Sequence, residues 1–216
     1  MIAYVQATTA ENVGSNATSN NFSANGLGSV SATTNGMAFV WIESSASTNP
    51  TSVSWGGAAM TMAVGSIAIT SRGWSSLWYK AAPASGAVTV NVTFAANTIP
   101  VMVWSLYSGV KQSAPDTSNS GTNTTTPVTV STTTITDNAW LVGGTTNNNG
   151  AVSAGANTTV RFGSVRGIGD SNGAKSPTGS YSLSFARTGA TGMSAGIVSI
   201  APSVDATTNS GFFNFM

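Results

Sequence analysis

Few side chains in this sequence could do chemistry. The acids are Glu11, Glu43, Asp116, Asp137, Asp170 and Asp205, set against seven Lys and Arg. Two carboxylates facing each other across a cleft would suffice to hydrolyse a glycosidic bond. No two of these six share a motif, so only the fold could unite a pair. Asp170 stands in GIGDSNGAKS, which looks like a fragment of a calcium loop. Such a site needs roughly six to eight oxygens, several from carboxylates. One local acid does not supply them, and the segment reads as a plain Asp-Ser-Asn-Gly turn. The chain has no histidine, which removes the usual general base and the commonest metal ligand. It has no cysteine either, hence no thiolate nucleophile, thiolate metal site or disulfide. The sequence therefore predicts a protein that is not an enzyme, with no catalytic residue, no metal and no cofactor.

Binding chemistry is better represented. Six tryptophans, Trp41, Trp55, Trp74, Trp78, Trp104 and Trp140, could include a platform for stacking a sugar. Trp41 and Trp104 lie in strands that are apolar on both faces, which favours core packing. Trp74, beside Arg72 and Gly73, is the candidate for an exposed ring that stacks on a ligand. The segment Gly211-Phe-Phe-Asn-Phe-Met216 places Phe212, Phe213, Phe215 and Met216 after a polar spacer. Uncovered, those side chains would form an exposed apolar patch. Two readings follow: one more strand on the same fold, or an anchor that fills apolar pockets on a neighbouring subunit.

The elements that must position these residues are strands. Val88, Val90, Val92 and Phe94 alternate with Thr89, Asn91 and Thr93, the period of a half-buried strand. Across Pro83-Ala-Ser-Gly86 stands Leu77-Trp-Tyr-Lys80, and the two runs read as a hairpin. Gly56-Gly57, between Val53–Trp55 and Met60–Val64, is a two-residue hairpin signal of the primed type. Met37–Ile42 and Val101–Tyr107 are apolar on both faces and read as central strands. Ile2–Val5, Val128–Ile135, Ala139–Val142, Val160–Phe162, Tyr181–Phe185 and Met193–Ile200 complete the series. Lys111–Thr126 and Asn147–Asn157 read as long polar loops. No window keeps an apolar period of 3.6 residues with caps. The expected fold is all-β: an antiparallel two-sheet β-sandwich, jelly-roll or lectin-like, of roughly twelve strands. Residues 1–203 form the sandwich domain in this reading, and residues 204–216 a C-terminal tail.

Charge narrows the partners. Charged residues make up 6% of the chain, against roughly 25% in ordinary globular domains. The net charge is +1, with no basic stripe to neutralise phosphates, so nucleic acid is not an expected partner. No apolar run approaches the roughly 20 residues of a membrane span. The opening MIAYVQATTAENVGS has neither the basic nor the apolar region of an export signal. A Ser-, Thr- and Asn-rich composition of extracellular type without such a signal fits a virion protein made in a host cytoplasm.

Four stretches strengthen that expectation: VSWGGAAMT (53–61), SLWYKAAPASGAVTVNVTF (76–94), VWSLYSGVKQSAPDT (103–117) and SYSLSFARTGATGMSAGIVSIAPS (180–203). In that order they resemble a β-sandwich family of phage structural proteins and large bacterial surface proteins. That family's pattern is a Trp-Gly-Gly hairpin, a WY…PxGxxxVxV hairpin and a YSGVxQ strand end, the second of which reads Pro83-Ala-Ser-Gly86 before its valines in this chain. The resemblance spans most of residues 1–203 and carries no catalytic residue. It implies a virion structural protein (capsid decoration, head fibre or tail component) whose partners are other virion subunits, including copies of itself as a homo-oligomer. The alternative is a glycan-binding or adhesin-type module on a bacterial cell surface, with a host surface glycan as partner.

Overall fold

A computed structural model describes residues 1–22, 29–46, 48–69, 72–189 and 192–203. Among these every regular element is a strand. The first half contains β1 (Ala3–Ala7), β2 (Asn12–Val13), β3 (Ala17–Phe22), β4 (Ser29–Val30), β5 (Met37–Ser44) and β6 (Ser52–Trp55). It continues with β7 (Ala58–Ala59), β8 (Thr61–Ile69), β9 (Gly73–Ala81), β10 (Gly86–Ala87), β11 (Val90–Thr98) and β12 (Pro100–Ser108). The second half contains β13 (Thr117–Asn123), β14 (Val128–Thr134), β15 (Trp140–Asn147) and β16 (Ser153–Ala154). It closes with β17 (Thr159–Gly163), β18 (Arg166–Asp170), β19 (Gly179–Ala186) and β20 (Met193–Ile200). All strand pairs are antiparallel, as expected for the fold class.

The sandwich is more finely divided than a two-sheet, twelve-strand reading: the described residues form 20 strands in five sheets. Four of the sheets stack as layers. A first outer sheet (β3-β11-β6-β7) packs on a first inner sheet (β1-β12-β5-β9-β8, with β2 beside β12). That sheet packs on a second inner sheet (β13-β20-β15-β18-β17), which a second outer sheet (β14-β19-β16) covers. β4 and β10 pair as a separate two-stranded ribbon.

Three apolar cores separate the layers, and side-chain alternation assigns residues to them. On β5, Ala38, Val40 and Ile42 enter the first core, while Met37, Phe39 and Trp41 enter the second. On β20, Val198 and Ile200 face the second core, while Met193, Ala195 and Ile197 face the third. A strand covered on both faces must be apolar throughout. For that reason β5, β12, β15 and β20 lack alternation, whereas β14 keeps it, with Thr129, Ser131 and Thr133 outward.

Several expectations need correction. Leu77–Lys80 and Ala87–Phe94 do not form a hairpin: β9 pairs with β5 and β8, and β11 pairs with β3 and β6. Residues 82–88 instead cross between layers. Leu77 and Trp78 enter different cores, so β9 needs cover on both faces, while the alternating β11 needs it on one. Trp55 Nε1 donates to the Ala84 carbonyl at 2.9 Å and pins the crossing. Gly56 and Gly57 do form the primed turn, with φ of 56° and 80°. Its return strand is the short β7 rather than Met60–Val64, because Met60 turns into the core and β8 joins the inner sheet. Lys111–Thr126 is not all loop. Its Thr, Ser and Asn residues form β13, an edge strand of low burial that a hydrophobicity pattern does not reveal.

Val88, Val90, Val92 and Phe94 all point into the first core, while Thr89, Asn91 and Thr93 stay partly exposed. Val90→Ala is expected to cost about 1–3 kcal/mol in chemical denaturation, as other core truncations do. Thr89→Ala is expected to cost less than about 0.5 kcal/mol. Equal costs at the two positions would contradict this packing.

Candidate functional site

Six of the charged residues converge where the two inner sheets meet, around the two ends of β18. Its sequence Arg166-Gly-Ile-Gly-Asp170 alternates large residues with glycine. Arg166, Ile168 and Asp170 face the first inner sheet, a period of two. The glycines face the other way, where there is no room. A Cβ on Gly167 would stand 2.9 Å from Val152, and one on Gly169 would stand 2.6 Å from the Thr159 carbonyl.

Arg166 joins two acids that are 32 positions apart in sequence. Its Nε donates to Glu43 Oε2 at 2.6 Å and its Nη2 to Glu43 Oε1 at 2.8 Å, a bidentate fork. Its Nη1 reaches Glu11 Oε2 at 3.2 Å, and its backbone N–H donates to Glu11 Oε1 at 2.8 Å. Arg72 approaches Glu43 at 3.8 Å and donates to the Asn148 carbonyl at 2.7 Å. Glu43, Arg72, Asn148 and Arg166 line a surface cavity of about 450 Å³, with Ile99 and Val101 on its apolar wall. Burial pushes the Glu43 carboxyl above its ordinary value, and the Arg166 hydrogen bonds and charge oppose that shift. The fold thus unites the pair of acids that the sequence left scattered, and it does so with a guanidinium between them.

The other end of β18 holds a second cluster. Asp170 is fully buried, the last residue of the strand rather than part of the turn, which lies at Asn172-Gly173. Arg161 donates to both its oxygens, at 2.7 and 3.0 Å. Tyr107 donates its hydroxyl at 2.8 Å, and the Asn172 backbone N–H donates at 2.7 Å. The Arg161 guanidinium also lies 4.1 Å over the Tyr4 ring, and Tyr107 packs edge-on against Tyr4, Phe39 and Trp140. With four donors on two oxygens, Asp170 is engaged by the protein itself.

Burial raises the Tyr107 phenol well above its ordinary 10.0, and the neighbouring Asp170 charge adds to the shift. The folded phenol resists ionisation that the unfolded one does not. Its stabilising contribution is therefore complete below the ordinary value and is lost as pH climbs from there towards the raised one. The urea midpoint is expected to fall steeply above about pH 10, and Tyr107→Phe to flatten that fall. An unchanged slope in the variant would show that Tyr107 is not the group concerned.

Two of the tryptophans pack in the core as expected. Trp41 and Trp104 are wholly buried, Trp104 edge-on to Trp55 with centroids 5.5 Å apart. Trp74 is half-buried within β9, paired with Ser44 on one side and Ala68 on the other. Phe212, Phe213, Phe215 and Met216 lie outside the described residues, as does Asp205. Neither charged cluster was visible in sequence. The signal that could have found them is RGIGD itself, where two opposite charges four apart on a strand must share a face. No protein-family model, curated protein or solved structure matches the chain.

Proposed function

We propose that this chain is a non-enzymatic structural subunit of a bacteriophage virion, a capsid decoration, head fibre or tail component that assembles through contacts with other subunits. The observation that carries this reading is where the charges go. Three of the six acids and three of the seven basic residues are paired inside the stack. The outer sheets present hydroxyls and amides instead, as at Thr18, Ser19 and Asn21 on β3 and Thr129, Ser131 and Thr133 on β14. A surface of this kind offers little electrostatic repulsion between copies. The two acids that the fold unites speak against hydrolysis. With both oxygens of Glu43 accepting from Arg166, that carboxylate is not poised to protonate a leaving group or to attack a sugar. The resemblance of four segments to phage structural proteins points the same way.

Light scattering on the eluting full-length chain, followed by a glycan array, tests the proposal. A stable oligomer that ignores glycans is the expected outcome. A monomer that retains specific glycans would replace this reading with the adhesin-type one.

A further inference from the structure

Near the end of the described chain lies an apolar pocket of about 410 Å³. Ile2 and Trp140 form its buried floor, and Asn138, Ala174 and Pro202 its walls. Met1, 95% exposed, stands at its rim. Pockets that bury one or two aromatic rings are of this size and character.

The path of the chain indicates a candidate occupant. Pro202 lines this pocket and is bridged to Val110, and the Ser203 N–H donates to the Gly109 carbonyl at 2.8 Å. Ser203 then lines a different cavity, shared with Thr34 and Gly109. The described chain thus ends between two cavities that share Met1, with Pro202 on the Trp140 pocket and Ser203 on its neighbour. Eight residues with a single charge follow, and then Phe212-Phe-Asn-Phe-Met216. Nine residue steps from Ser203 to Phe212 span up to roughly 30 Å when extended, enough to reach an adjoining molecule. The same reach would let it turn back onto its own pocket, in which case mixing a pocket-blocked chain with a tail-substituted one would restore no association.

We infer that the Trp140 pocket receives Phe212, Phe213 or Phe215 from a second copy of this chain, so that subunits are linked by exchanged tails. The inference rests on the assembly reading above and names its contact. Aromatic anchors in desolvated pockets carry much of the binding energy of such interfaces, and a tail-into-pocket contact closes reciprocally in a dimer or around a ring.

Two full-length variants test it. Ala174→Trp blocks the pocket at an exposed position, so the fold should keep its melting temperature. The second variant carries Phe212→Ser, Phe213→Ser and Phe215→Ser together and leaves the pocket open. Each alone is expected to weaken self-association at least tenfold by analytical ultracentrifugation. Mixed, the blocked chain still has a tail and the serine chain still has a pocket, so the two should pair with each other. An oligomer indifferent to Ala174→Trp but lost in the serine variant would overturn the Trp140 pocket as receiver while leaving assembly intact. A wild-type chain that stays monomeric at every concentration would overturn the assembly reading as well.

Discussion

Arg166→Ala is expected to destabilise the protein by about 3–5 kcal/mol, the cost of breaking a buried ion pair from one side. Glu43 is 4% exposed, and without the fork its nearest cation is Arg72 at 3.8 Å. The carboxylate would remain desolvated and largely unpaired between the inner sheets. In a chain of this length that loss lowers the melting temperature by on the order of 10 °C. Removing both partners should be milder. Arg166→Met combined with Glu43→Leu is expected to recover most of the loss, since apolar groups of similar volume often replace a buried pair at little cost. Strict additivity of the two single losses in a double-mutant cycle would contradict a coupled pair. The pair is a fastener between layers: β5 carries one half and β18 the other, 123 positions apart.

The second large effect is expected at Trp41. Its ring lies in the second core directly on two glycines of the facing sheet. A Cβ on Gly144 would stand 2.4 Å from the ring, and one on Gly196 would stand 3.1 Å from it. Its Nε1 donates to Thr146 Oγ1 at 2.8 Å, which fixes the ring's orientation. Trp41→Ala is expected to cost about 3–5 kcal/mol through the cavity it leaves, with a further loss at the Thr146 hydroxyl, which would keep only the 3.3 Å bond from Ser75 Oγ. Gly144→Ala is the converse, an overpacking expected to cost about 1–3 kcal/mol. The two sites should not add. In a Trp41→Leu background the methyl of Gly144→Ala fills vacated space, and its cost should fall to near zero. An unchanged cost there, measured by urea denaturation, would show that the ring and the glycines are not in register.

These two contacts also mark where the sequence could be read and where it could not. The strand at Val88–Phe94 was legible because one face meets a core and the other does not, and alternation records that directly. Met37–Ile42 was legible as central for the opposite reason. What such runs do not record is the identity of the second covering layer. The two faces of β5 look alike, yet one meets the sheet of β11 and the other that of β20. This ambiguity turns a four-layer stack into an apparent two-sheet sandwich, and it turns the link at residues 82–88 into an apparent hairpin. β13 escaped notice because an edge strand of Thr, Ser, Asn and Gly has no apolar period to show. β18 escaped because its glycines resemble a turn, although they are there to let the second outer sheet approach. The pairing of Glu11 with Glu43 needed the fold itself, since a contact between distant residues leaves no local trace in one sequence.

The most direct test of the structural-subunit proposal is to locate the chain in the particle it is proposed to build. Phage particles from the lysate in which the chain is naturally produced would be banded on a density gradient and probed with an antibody to the full-length protein. The account predicts that the chain bands with intact particles in fixed stoichiometry and labels a regularly repeated position on their surface. A chain found wholly in the soluble fraction, free of particles, would contradict it.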